Sequence, residues 1–331
     1  MIFGHGDDGF KYREIRYNFS SNIYQHADLS ELERHLCRHI SDIRHYPEPE
    51  PVSLEKELAA TLCIPEQCVL VTNGATEAIY LIANTLRQCG FEYFKHEKPT
   101  FSEYGDASRR YGLKWTENED GKTIFWLCNP NNPTGSVYDK HTVLHMAQAY
   151  GMLVVDQSYE IFTQEPPLPP YECICNKKIV QIHSLTKRYA IPGLRLGFIV
   201  GAQDIIDKIK CNVLPWSVNS LAIRAASFLL KNDVEAVGDM DTYLAEAQRL
   251  RNNLDQIDGI MTLPTATNFM LVRVSGLTAA ELKDRLAIRH KMLIRDASNF
   301  EGLDEHWFRV AAQTEEENDL LVEAIKDCLI R

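Results

Sequence analysis

The chain has 331 residues, 45% of them hydrophobic, and a formal net charge of −11 at pH 7. That length and apolar fraction support a large core, divided into two units or into one unit with a lobe. No run of five Lys or Arg occurs, which argues against a nucleic-acid partner, because affinity for backbone phosphates rests on clustered cations.

From about residue 66 to 200, short β-rich runs alternate with helical stretches, a pattern that predicts an α/β three-layer sandwich with a mainly parallel sheet. Val69-Leu70-Val71 reads as a strand leading through Asn73-Gly74-Ala75 into the apolar-periodic helix Thr76–Cys89, which Gly90 closes. Thr123–Cys128 is a strand, Lys140–Ala149 a helix, and Met152–Val155 a strand ending at Asp156. Residues 164–171 carry four prolines and read as a loop; Ile179–Ile182 is the next strand. Beyond Pro215 helix dominates, with Asp233–Gln256 as one long amphipathic helix. Residues 259–331 then place the strands Asn268–Val272, Met292–Arg295 and Trp307–Ala311 between helices Ala279–Ile288 and Glu315–Ile330, which suits a smaller α+β lobe. The expected units are an arm over residues 1–45 that joins the small lobe, a large unit over 46–234 and a small C-terminal unit over 235–331.

The nine cysteines are scattered and none forms C-x-x-C, which fits reduced thiols better than a disulfide framework. The first nine residues lack the regions of a signal peptide, and no apolar run approaches eighteen residues. A cytoplasmic protein without a membrane partner is expected.

The most informative segment is Ser184-Leu185-Thr186-Lys187, with Arg195 eight positions after the lysine. A lysine between hydroxyls and a guanidinium can form a Schiff base with an aldehyde while its neighbours grip that aldehyde's phosphate, as pyridoxal 5'-phosphate (PLP) chemistry requires. Three further features support it. Gly74, Ala75 and Thr76 sit at a strand-to-helix turn, where free N–H groups and the helix dipole favour an anion. Asn129-Pro130-Asn131-Asn132-Pro133-Thr134-Gly135 forms a rigid loop at the carboxyl end of a strand, where α/β proteins bind ligands. Asp156, at the end of the next strand, can pair with a protonated pyridine nitrogen and keep the ring electron-withdrawing.

In that order these motifs resemble the fold-type-I PLP enzymes of the aminotransferase class I/II superfamily. The resemblance implies a PLP-binding large unit in which Asn132 and Tyr159 meet the cofactor's phenolic oxygen, Phe101 stacks on its ring, and Ser184, Thr186 and Arg195 hold its phosphate. It sharpens to the branch of histidinol-phosphate aminotransferases and threonine-phosphate decarboxylases, and His5-Gly6, Tyr189–Arg195, Leu214–Ala222 and Asn299–Asp304 are more similar to the decarboxylases. The branch implies a homodimer with shared sites through Tyr46, in Arg44-His45-Tyr46-Pro47. It also implies substrate contacts at His5, Asn22, Arg295 (phosphate) and Arg309 (α-carboxylate). The expected substrate is a phosphorylated amino acid or amine. The reaction is decarboxylation of L-threonine O-3-phosphate, as in cobalamin-type biosynthesis, with histidinol-phosphate amino transfer as the alternative.

Two departures bear on that substrate. Asp7-Asp8 adds negative charge after His5-Gly6, and Gln313 stands where decarboxylase relatives carry arginine. A reading from another class is a cofactor-fold protein that binds without turnover; such a chain is expected to add a DNA-binding module or lose the lysine, and neither sign is present. The pairs His35/His39 and His141/His145 have helical spacing but no H-E-x-x-H frame, so no metal is assigned.

Overall fold

The computed structural model describes residues 6–232 and 234–330. Strand β1 (Tyr17–Asn18) comes before the two main sheets in chain order. A seven-stranded sheet follows from β2 (Val69–Thr72), β3 (Tyr93–His96), β4 (Lys114–Trp115), β5 (Thr123–Cys128), β6 (Met152–Asp156), β7 (Ile179–Ser184) and β8 (Gly197–Val200), in the order β2-β8-β7-β6-β5-β3-β4. The pairs β3·β4, β3·β5, β5·β6 and β6·β7 are parallel; β8 runs antiparallel to both neighbours. Alternate residues serve opposite cores, Phe125, Leu127, Leu153 and Val155 on one face and Ile124, Trp126, Met152 and Val154 on the other. Both faces are therefore covered by helices, which is why these strands read as continuous apolar runs.

The second sheet comprises β9 (Ile260–Thr262), β10 (Phe269–Val274), β12 (Arg295–Asp296) and β13 (Trp307–Ala311), antiparallel throughout, while β11 (Met292–Leu293) pairs in parallel with β1. Helices Met240–Asp255, Ala279–Arg285 and Glu315–Leu329 pack on this sheet around a third core that includes Leu250, Phe269, Phe308 and Leu321.

Several expected boundaries shift. Asp233–Gln256 is not one helix: the helix Ser220–Asn232 ends first, and a new one starts at Met240, capped by Asp239 Oδ1 accepting from Thr242 N at 3.1 Å. Met292–Arg295 is two short strands, because Met292–Leu293 pairs with β1 and Arg295–Asp296 pairs with β13. The helix expected over Ala279–Ile288 is α-helical to Arg285 and continues as a π turn, Leu286–His290. The loop 164–171 ends early, since Pro170 opens the helix Pro170–Cys175. No helix among the described residues is long and apolar enough to cross a membrane.

Candidate active site

The carboxyl ends of β5, β6 and β7 converge on a cavity of about 650 Å³. One wall is the amino end of the helix Gly74–Gln88. Thr72 Oγ1 donates to Gly74 O (3.0 Å) and Glu77 Oε2 accepts from Asn73 N (2.6 Å), which ties the turn down. The first N–H groups of a helix have no acceptor within it, so Ala75 and Thr76 present donors to the cavity they line. Gly74 has φ +84°, and a Cβ there would lie 2.8 Å from Arg195 Nη2; a Cβ on Gly197 would lie 2.8 Å from Ala75 N. These two glycines let a guanidinium and a row of amides close on one spot, the geometry of an anion cradle.

Lys187 lies in the short helix Leu185–Arg188 that follows β7. Its Nζ donates to Ser21 O at 2.6 Å and sits 5.7 Å from the Tyr159 ring centroid. Burial, then the charges of Arg309 and Arg195, bring its pKa down to about 7. The amine is thereby a nucleophile near neutral pH. Ser184 and Thr186 line the same cavity, although the Thr186 hydroxyl also donates to Leu196 O at 3.2 Å.

Asp156 is buried, and burial pushes its carboxyl pKa upward against donors that pull it down. Oδ1 accepts from Ser158 N at 2.9 Å and Oδ2 from Tyr104 Oη at 2.8 Å. Arg309, on β13, donates to Asn132 Oδ1 and to Ser20 O, and burial lowers its pKa to about 10. Arg295 lies directly opposite Arg309 in the β12·β13 ladder and lines the cavity, its pKa brought to about 10 by burial and then by Arg309. Asn22 is buried with φ +53° and lies beside the Tyr159 hydroxyl, while Arg309 Nε is buried without a partner. Buried polar atoms of this kind are rare in finished protein and fit a ligand's own donors and acceptors.

The family model "Aminotransferase class I and II" matches residues 14–325. The chain belongs to this family. Its members are PLP-dependent, so this class I/II protein is an enzyme whose cofactor is PLP. It is similar to the crystal structure of L-threonine-O-3-phosphate decarboxylase from Porphyromonas gingivalis (35% identity, TM-score 0.89, covering 96% of this chain and 100% of that one). It is 28% identical to the threonine-phosphate decarboxylase of Salmonella typhimurium, over 94% of this chain and 91% of that protein. It is 29% identical to a histidinol-phosphate aminotransferase of Caldanaerobacter subterraneus, over 97% of each.

The residues present fit the class I/II cofactor. The cradle of Gly74, Ala75, Thr76 and Arg195 suits its phosphate, Lys187 its aldehyde, Asp156 its pyridine nitrogen, and Asn132 and Tyr159 its phenolic oxygen. Phe101 lines the cavity edge-on to Tyr104, with ring centroids 5.7 Å apart. One expected residue stands apart. Tyr46 is 84% exposed, outside the cavity, with its ring 5.2 Å from that of Trp216. His5 lies outside the described residues.

Sequence reasoning gave no role to Tyr104, Ser158 or the carbonyls of Ser20 and Ser21, since a buried tyrosine and a backbone oxygen leave no motif. The two departures resolve differently. Asp8 is neutralised by Lys283 (2.6 Å) and Lys11 (2.9 Å), whereas Asp7 lines the cavity with Oδ1 accepting from Asn18 Nδ2 at 2.6 Å. Gln313 is buried and spends its amide on backbone, accepting from Gln25 N (2.9 Å) and donating to Ile23 O (3.0 Å). Elsewhere among the described residues, His290, Asp327 and Cys328 bring ligand-type atoms within 4.8 Å, but burial raises the Cys328 thiol pKa, so the trio reads as a His290–Asp327 hydrogen bond (3.0 Å) beside a protonated thiol.

Proposed function

We propose that this enzyme acts on an amino acid carrying a second anionic group, and that its reaction is decarboxylation of L-threonine O-3-phosphate to aminopropanol phosphate. The observation that carries the reading is the facing pair Arg295 and Arg309, two buried guanidiniums on adjacent strands that line one cavity. Two such cations suit a substrate with an α-carboxylate and a phosphate. The likeness to decarboxylases at 35% and 28% identity supports it. Full-length likeness to histidinol-phosphate aminotransferase makes amino transfer the second reading.

In this reading residues 1–45 are the arm, 46–234 the cofactor-binding unit and 235–331 the smaller unit. The enzyme is a homodimer in which Tyr46 reaches the partner's site, consistent with its exposure in the single chain. The bound cofactor supplies an electron sink for the bond broken at Cα. Arg309 holds the α-carboxylate, Arg295 takes the phosphate, and Lys187 Nζ gives Cα the proton that replaces the departing carboxylate; in the amino-transfer reading Lys187 instead carries the Cα proton as general base and acid. Asp156 stays anionic beside the pyridine nitrogen.

One panel tests this: carbon dioxide release and 2-oxoglutarate-coupled amino transfer, each on threonine phosphate and histidinol phosphate, for wild type and Arg295→Ala. Carbon dioxide from threonine phosphate is expected, with Arg295→Ala losing about 10- to 150-fold in kcat/KM, the worth of a ~1.5–3 kcal/mol charge-assisted bond. Amino transfer from histidinol phosphate with no carbon dioxide would move the assignment to the second reading.

A further inference from the structure

We propose that Tyr104 is a positioning residue for the cofactor: its hydroxyl holds Asp156 in place and in its charged form, and its ring backs Phe101. The inference rests on the cofactor and is independent of the substrate.

Three observations carry it. Tyr104 is completely buried, and its Oη is 2.8 Å from Asp156 Oδ2. Its ring lies nearly parallel to that of Trp126 (centroids 5.5 Å apart, 11° between planes) and edge-on to Phe101. Trp126 is itself fixed, since Nε1 donates to Ser108 Oγ at 3.1 Å. Tyr104 and Ser108 are one helical turn apart on the helix Glu103–Arg110, so one helix face grips β5 at Trp126 and β6 at Asp156 together. A single side chain thus touches the carboxylate for the pyridine nitrogen and the aromatic expected on the pyridine face.

The chemistry follows from the charge. A carboxylate accepts about four hydrogen bonds, and Asp156 receives one on each oxygen, leaving capacity for a pyridine N–H. Burial favours the neutral acid, whereas donation from Ser158 and Tyr104 favours the anion. A neutral Asp156 cannot hold the pyridine nitrogen protonated. The other titratable groups acting on it are His183 from β7, whose charge favours the anion, and Cys128 and Tyr159, whose anionic forms would oppose it. His183 in turn faces Glu160 at 3.2 Å.

Tyr104→Phe removes the hydroxyl and keeps the ring, which separates positioning from packing. The readout is the PLP dissociation constant of the apoprotein, measured by absorbance between pH 5.5 and 8.5 for wild type, Tyr104→Phe, Asp156→Asn and the double variant. Tyr104→Phe should weaken PLP about tenfold or more, the loss expected for a hydrogen bond to a charged group, and the acid limb of the binding curve should move to higher pH. In the Asp156→Asn background the same change should have no further effect, because the two act as one unit. Replacing Tyr104 with 3-fluorotyrosine, a stronger donor, should move the limb to lower pH, and this arm stands even where the phenylalanine variant does not fold. Wild-type affinity and an unmoved limb in Tyr104→Phe, additivity with Asp156→Asn, or a limb unmoved by fluorination would each overturn the proposal.

Discussion

The reactivity of Lys187 provides a quantitative test of the site. With its pKa brought from 10.5 to about 7, close to half of the amine is neutral at pH 7. For a lysine left at 10.5 the neutral share at pH 7 is about 3 in 10,000, so the site enriches the nucleophile about 1,500-fold. Reductive methylation of the apoprotein with formaldehyde and cyanoborohydride, followed by peptide mapping at a series of pH values, reads this directly without the cofactor. The Lys187 profile should level off above pH 7 to 8 and fall about tenfold per pH unit below it. In Arg309→Met the midpoint should rise, since that guanidinium is the leading charge that disfavours protonated Lys187. The same shift affects stability. From about pH 7 to 10.5 the unfolded chain holds a proton that native Lys187 does not, so apoprotein stability should rise with pH across that window. A Lys187 profile still climbing tenfold per unit at pH 9, or borohydride fixing PLP to Lys177 or Lys178 instead, would refute the reasoning.

Gly197→Ala should weaken PLP binding tenfold or more in an absorbance titration, because the new Cβ would sit 2.8 Å from both Ala75 N and His183 O; Gly193→Ala, with nothing within 4 Å, should be neutral. Lys283→Met strands a buried Asp8 carboxylate with only Lys11 beside it, and should cost about 2–3 kcal/mol in urea unfolding, below the ~3–5 kcal/mol of a fully orphaned charge. A loss under about 0.5 kcal/mol would show that this pair contributes little. Mixing inactive Tyr46→Phe and Lys187→Ala subunits should restore part of the activity if Tyr46 acts across a dimer, and no recovery from demonstrated heterodimers would reject that arrangement.

Most of the residues expected to hold the cofactor meet around one cavity, because they sit near strand ends in one continuous run of the chain. The string from Asn73 to Arg195 spells out the cradle, the asparagine loop, the aspartate and the lysine in order, and parallel β5, β6 and β7 bring their carboxyl ends together without further instruction. What was not legible depends on distant partners. The Asp8–Lys283 pair spans 275 positions, so the charge near the cavity looked larger from sequence than it is. Gln313 looked like a missing cation, yet its amide serves the backbone of Ile23 and Gln25. The break before Met240 was hidden because apolar periodicity runs through it, and the Asp239 cap and Gly238 were weaker signals than the pattern around them.

The stretch around Ser20 and Ser21 gives the arm a meaning beyond connection. Its backbone is stitched to the small sheet, with Phe19 N donating to Leu293 O and Ala311 N to Phe19 O, both at 2.8 Å, while its next two carbonyls receive Arg309 and Lys187. Carbonyl oxygens belong to every residue type, so substitution in this stretch leaves those two acceptors in place; only moving the main chain removes them. Nicking or deleting this stretch is therefore expected to disturb Lys187 and Arg309 together while leaving both side chains in the sequence.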